Sequence, residues 1–340
     1  MAQKYRDTDY LYGSARVRAM EGRLISRDRI EHMLEARSTE EIVAMLPDLG
    51  FTLRYAGEDK TGDLLREETL LSALADGYRE LDRMDGERGL CDFLQYPYDC
   101  NNIKAAIKCA FRGIDPDGMM FDGIGTLSRD AVKTAFAEKR YEAFPPEMAR
   151  AIPEAEESFA KTGNPQKVDL ILDRACYGDM LRAAKSTGVP YAVELVETRI
   201  DLVNLVSCLR LIRMNTGEAA RAFLSEVFLE GGTMSLSFLE DGLKEGEVVL
   251  AERLLSSAYS PLASLLEGGQ TPLNIIEKRA DDLWLEQAGK SRYAPFGAEV
   301  LLGYAIALEY EVKNIRILLA GKDAGLAPDV IRERLRKSYV

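Results

Sequence analysis

Tyr98-Asp99-Cys100-Asn101-Asn102-Ile103, Ile200-Asp201-Leu202-Val203-Asn204-Leu205 and Tyr310-Glu311-Val312-Lys313-Asn314-Ile315 read as one short segment written three times. The anchoring asparagines lie 102 residues apart and then 110 apart (204 − 102, 314 − 204). A solenoid unit repeats every 20–50 residues or so, whereas this spacing has the length of a small domain. With each asparagine as position zero, an acid stands at −3 (Asp99, Asp201, Glu311). Apolar residues stand at +1, +4 and +5: Ile103, Ala106 and Ile107, then Leu205, Cys208 and Leu209, then Ile315, Leu318 and Leu319. That is the stripe of an amphipathic helix. Ala110 and Ile212 extend it at +8, where the third copy has Lys322. The chain is expected to use one helical building block three times.

Asparagine is a mediocre helix former, and here it borders the apolar stripe. The expectation is a half-buried amide that hydrogen-bonds a neighbouring helix and fixes how the two dock. Catalytic residues are seldom needed in triplicate, whereas packing rules are. Asp99, Asn102, Asp201, Asn204, Glu311 and Asn314 are therefore read as structural positions that define the repeat.

The rest of the chain also has helical period. Ser38-Thr39-Glu40-Glu41 reads as a capping box ahead of Ile42, Val43, Met45 and Leu46. Ser26 can cap a helix over 27–37 and Ser128 one over 129–140, while Pro190 and Pro328 suit first turns. Gly113 and Gly325 are candidate left-handed stops eleven residues after their asparagines; the middle copy is expected to stop near Asn215 and Gly217. Phe51-Thr52-Leu53-Arg54-Tyr55 alternates weakly like a strand, but the reading is all-α. Gly/Asp/Pro-rich residues 113–125 and the stretch 230–237 separate the copies, so lobes are expected over 1–115, 116–225 and 226–340.

Of 340 residues, 46% are apolar, enough for one large core or several. A net charge of −12 argues against sequence-independent nucleic-acid binding and against docking on anionic lipid, leaving a protein partner as the natural one. No secretory leader is read at the N-terminus. The longest apolar run, Val300 to Leu308, is far short of the roughly 18–20 residues of a membrane span. Five scattered cysteines without a CxxC pair suit reduced thiols in the cytoplasm.

Catalytic readings find little material. His32 is the single histidine and reads as a surface side chain. Asp115-Pro116-Asp117-Gly118 lacks the spacing and terminal glutamate of a calcium loop and reads as a turn. Gly123-Ile124-Gly125 follows no strand and lacks the lysine of a phosphate loop. Glu154, Glu156 and Glu157 form a solvated charge run, and Trp284 belongs in a helix interface. Asp281-Asp282 invites comparison with the magnesium-binding carboxylates of all-helical prenyl-transfer enzymes, but the third aspartate is missing. No catalytic residue, metal ligand or cofactor site is assigned.

The ends of the chain carry a resemblance. Tyr10-Leu11-Tyr12-Gly13-Ser14-Ala15-Arg16-Val17-Arg18-Ala19-Met20-Glu21 resembles the opening helix of the central-stalk C subunit of A/V-type rotary ATPases, known as the d subunit in the eukaryotic vacuolar enzyme. Phe296-Gly297-Ala298-Glu299, Leu301-Leu302-Gly303-Tyr304, Glu309 to Arg316 and Gly321-Lys322 look like its closing block. The resemblance spans essentially the whole chain. It implies a non-catalytic adapter with three similar lobes about a pseudo-three-fold axis, funnel-shaped with a central cavity. Such an adapter sits on the cytoplasmic face of the membrane rotor ring of proteolipid subunits. It receives the shaft tip formed by the D and F subunits, and its neighbours include the membrane stator. The association with the membrane is then peripheral, and the role is in ATP-coupled ion transport. The middle copy has Ile200 where the others have tyrosine, as expected if one lobe must meet an asymmetric shaft. The alternatives are a free-standing helical-repeat scaffold for another protein and, third, a magnesium-dependent helical enzyme.

Overall fold

A computed structural model describes residues 6–53, 66–214 and 217–340. It is all-helical among those residues. In chain order the α-helices are α1 (Leu11–Glu21), α2 (Arg27–Glu35), α3 (Thr39–Met45), α4 (Arg66–Asp85), α5 (Asp92–Arg112), α6 (Arg129–Glu138), α7 (Pro146–Thr162) and α8 (Pro165–Thr187). They continue with α9 (Pro190–Met214), α10 (Glu218–Val227), α11 (Leu236–Glu245), α12 (Glu247–Leu254), α13 (Ser260–Leu266), α14 (Leu273–Gly289), α15 (Ala298–Asp323) and α16 (Pro328–Arg334). Residues 51–53 carry no strand; Arg54 and Tyr55 lie outside the described residues.

Local chemistry sets most helix limits. The Ser26, Ser38 and Ser128 hydroxyls accept from Arg29 N, Glu41 N and Ala131 N, at 3.4, 3.4 and 3.2 Å. Each relieves one of the orphan N–H groups of a first turn. Glu41 reaches back to Arg37 N (2.7 Å), one residue before the position a capping box would use. Helix α6 stops at Glu138, short of the expected 140, because Lys139 adopts φ +53°. Gly113 and Gly325 take φ +64° just past α5 and α15. Gly217 takes φ +62° beyond α9, and Asn215 lies outside the described residues.

The chain divides into two compact units, one from both chain ends (1–91 and 285–340) and one from its middle (92–284). In the first, α15 packs against α1, α3, α4 and α16. Residues 300–307 are all buried, so the first part of this helix is apolar on every side, as a core helix must be. Gly303 permits the close approach of the chain just before α15, since a Cβ there would stand 2.7 Å from Ser291 Cβ and 2.9 Å from the Ala288 carbonyl oxygen. Ser14 Oγ accepts from Gly297 N (3.1 Å), and the Arg18 guanidinium donates to the Ser291 and Ala294 carbonyls (2.8 and 2.9 Å). These bonds tie α1 to the entry of α15.

In the second unit α8 packs against α5, α7 and α9, and α9 against α10 and α11. Lys104 and Lys108 on α5 pair with Asp173 and Asp169 on α8, each at 2.5 Å. Asp179 of α8 accepts from Glu147 N (3.0 Å) and Met148 N (2.8 Å), placing a carboxylate on the N-terminus of α7 where the backbone dipoles favour it. All five cysteines are buried.

Candidate functional site

The six positions singled out by the repeat lie at three matching points, one on each of the long helices α5, α9 and α15. An acid and an asparagine three residues apart share a helix face. Asn102 on α5 accepts from Phe121 N (2.7 Å) and donates to Phe121 O (3.0 Å), so one amide satisfies both backbone groups of a loop residue. One turn back, Asp99 accepts from Thr126 N (3.0 Å), Thr126 Oγ1 (2.6 Å) and Leu127 N (3.2 Å). The next residue, Ser128, caps α6.

The pattern recurs on α9. Asn204 accepts from Leu229 N (2.9 Å) and donates to Leu229 O (2.8 Å). Asp201 accepts from Thr233 N (3.0 Å), the Thr233 hydroxyl, Met234 N (2.9 Å) and the Tyr259 hydroxyl (2.8 Å). Ser235 then caps α11, accepting from Phe238 N at 3.2 Å.

On α15 the same arrangement is assembled from the two chain ends. Asn314 accepts from Arg336 N (2.9 Å) and donates to Arg336 O (3.2 Å), holding the C-terminal tail. Glu311 accepts from Ile25 N (2.6 Å), and Ser26 caps α2. Ser338 donates to Ile25 O (2.7 Å), joining tail to N-terminal turn directly.

The asparagines are buried, at 0%, 1% and 4% exposure, rather than half-buried at a stripe edge. Their partners are backbone groups of loop and tail residues, not a neighbouring helix. The reason is that loops crossing a core have no ladder of their own, and buried N–H and C=O groups must be paired somewhere. A primary amide meets one of each.

Helical periodicity marks the acid-bound segments only as separators. Gly125-Thr126-Leu127-Ser128 and Gly232-Thr233-Met234-Ser235 are nevertheless a second repeated signal, with Arg23-Leu24-Ile25-Ser26 in the same role. The glycines are required by contact: a Cβ on Gly125 would lie 2.6 Å from Asp99 Oδ1, and one on Gly232 would collide with Asp201. Leu24 replaces the threonine, so the third acid receives no hydroxyl from that position.

Burial raises the Asp99 carboxyl above its ordinary range against the pull of the Thr126 and Leu127 donors. Glu311 is pushed up to about 7, chiefly by burial, opposed by the Ile25 N–H and the charge of Arg29. The Tyr259 hydroxyl is raised by burial and by the Asp201 charge it faces.

The other candidates go elsewhere. His32 is exposed. Asp281 and Asp282 are buried, and Asp281 pairs with Arg199 (3.3 Å), whose guanidinium lies 5.0 Å from the Trp284 ring centre. Trp284 donates to Leu195 O (2.9 Å), so this cluster joins α14 to α9. Asp115 and Asp117 form a turn, with Asp117 N donating to Asp115 Oδ1 (3.0 Å) and both acids facing Lys133. Glu157 pairs with Lys161, and Glu156 accepts from the Tyr141 hydroxyl. Among the described residues, no group of three or more His, Cys, Asp or Glu side chains is placed to hold a metal ion.

Comparison with known proteins places the chain. The family model described as ATP synthase (C/AC39) subunit matches residues 14–334. The C subunit of the A-type ATP synthase of Methanocaldococcus jannaschii is 26% identical, covering 96% of this chain and 86% of that protein. The C subunit of the V-type sodium ATPase of Enterococcus hirae is 24% identical, covering 95% and 97%. Its counterpart in the A-type ATP synthase of Pyrococcus abyssi is 24% identical, covering 96% and 90%.

Proposed function

This chain belongs to the family of ATP synthase (C/AC39) subunits, and on that footing we propose that it is the non-catalytic rotor component that couples the central shaft, formed by the D and F subunits, to the membrane rotor ring. It is a C-type subunit of an A/V-type ATPase, and among the described residues no helix is long and apolar enough to cross a membrane. The observation that carries the coupling reading is the family match along nearly the whole chain, joined to three long helices that each pin loop or terminal segments with an acid and an asparagine. A torque-bearing adapter must resist shear between a slender shaft and a wide ring. Close-packed interiors do so, and pinned loops keep the helices between them from sliding.

The clips also suggest where lobes begin. We propose one lobe from α5 to α8, a second from α9 to α14, and a third from α15, α16 and the N-terminal helices α1 to α4. These limits differ from the even division at 115 and 225 because the third lobe takes its clipped segments from both chain ends. The protein works peripherally at the cytoplasmic face of the membrane, and its contact with the shaft is polar and separable.

Depletion and add-back test the reading. Membranes stripped of this protein should lose ATP-driven ion transport while the soluble sector keeps hydrolysing ATP, and adding it back should restore transport. Binding to the shaft should weaken as salt rises, because rim charges are screened within about 10 Å at 0.1 M. Pumping at the normal rate in its absence, or a purified chain that binds neither shaft nor ring, would refute the coupling role.

A further inference from the structure

The three clips differ in how well their acids are provided for. Asp99 receives two backbone N–H groups and one hydroxyl, and Asp201 two N–H groups and two hydroxyls. Among the described residues Glu311 receives one donor, Ile25 N. The deficit is written in the sequence: Leu24 stands where the other clips have Thr126 and Thr233, and Arg23 where they have a glycine. A backbone segment with a side chain at that point cannot come as close, and the longer glutamate spans the gap.

The Glu311 side chain also lines a cavity of about 460 Å³, with Tyr304 on its own helix, Arg16 on α1, Arg23 in the turn before α2, and Asp76 and Glu80 on α4. Arg29 on α2 acts on it through its charge. Lys337 and Tyr339 of the tail border a small void on its other side. Arg16 is paired with Glu80, and Lys337 with Glu286 at 2.6 Å, so the charge that acts on Glu311 is that of Arg29. Glu311 is thus a half-buried carboxyl with a single hydrogen-bond donor among the described residues, at the joint of the two chain ends.

We propose that Glu311 is a proton-operated latch: protonated, it lets the N-terminal turn and the C-terminal tail seat firmly on α15, and ionised it loosens that joint. The sign follows from linkage. An acid whose affinity for the proton is higher folded than unfolded stabilises the fold at low pH, and that contribution is lost as pH rises through the folded value. Here the loss runs from about 4.5 to about 7, and the gap corresponds to roughly 300-fold in the local folding equilibrium. The latch gives the unit built from both chain ends a stiffness that depends on acidity near neutrality. It stands independently of the coupling role proposed above.

The test uses the full chain with ¹³C-labelled glutamate side chains, followed by NMR, and amide hydrogen exchange corrected for intrinsic rate. The Glu311 carboxyl should titrate between pH 6 and 8, and protection of the Ile25 amide should fall at least about tenfold across that range. In Glu311→Gln the neutral amide still accepts from Ile25 N, so protection should be flat with pH. Leu24→Thr, which restores the hydroxyl of the other clips, should move the midpoint down. A Glu311 carboxyl that titrates near 4.5, an Ile25 amide equally protected at pH 6 and pH 8, or an unchanged pH profile in Glu311→Gln would overturn the proposal. The carboxyl titration of the parent chain decides the matter even if a variant fails to fold.

Discussion

Replacing Asn204 by alanine should release one loop of the second unit. The side chain makes two hydrogen bonds to a single residue, Leu229, at 2.9 and 2.8 Å, and both residues are buried, at 1% and 4% exposure. Each bond contributes about 1 kcal/mol net, but truncation also strands a buried N–H and a buried C=O, at about 1–3 kcal/mol each where water cannot reach them. Partial relaxation of the loop returns some of that, so the expected loss is about 2–4 kcal/mol. For a unit of this size it lowers the melting temperature by roughly 5–15 °C. Scanning calorimetry reads the shift, and hydrogen exchange at the Leu229 amide locates it. Asn101→Ala is the control: an asparagine on α5, next to Asn102, that is only partly buried, expected to change stability by less than about 0.5 kcal/mol. If Asn204→Ala matched that control and Leu229 stayed protected, the amide clip would not be what holds the loop, and the structural reading of the repeat would fail.

Two further changes probe the unit made from the chain ends. Gly303→Ala should cost about 1–3 kcal/mol or prevent folding, because its Cβ would meet Ser291 and the Ala288 carbonyl, and neither can yield without moving the backbone; urea unfolding measures it. Removing residues 335–340 deletes the buried Leu335 and Tyr339 and the Asn314–Arg336 clip, and should expose the turn at Ile25 to proteases far sooner than in the intact chain. Equal digestion rates would contradict it.

The parts of this protein legible in one dimension are those whose causes are local. Helix α9 could be read because Pro190 opens it and its apolar residues keep step with 3.6 per turn. The caps at Ser26, Ser38 and Ser128 were visible because the donor lies three residues from the hydroxyl. The triplication was visible because one acid-and-asparagine spacing recurs, and it pointed to the residues the structure places at equivalent bonds. The Gly-Thr-Leu-Ser and Gly-Thr-Met-Ser segments were equally available, yet without the carboxylates above them they look like ordinary linkers.

What tertiary structure alone decided is which backbone each side chain satisfies. Asn102 and Phe121 are 19 residues apart, and no spacing rule connects a helical amide to an irregular loop. Ile25 and Glu311 are 286 residues apart, so the third clip exists only once the two ends of the chain meet. Burial, too, belongs to the folded state: the same carboxyl that a sequence shows as one more acid is held near neutrality by what packs around it. Periodicity and capping are properties of neighbours along the chain and survive in the bare sequence. Hydrogen-bond partnership and desolvation depend on residues brought together from far apart, and they take their values only from the folded core.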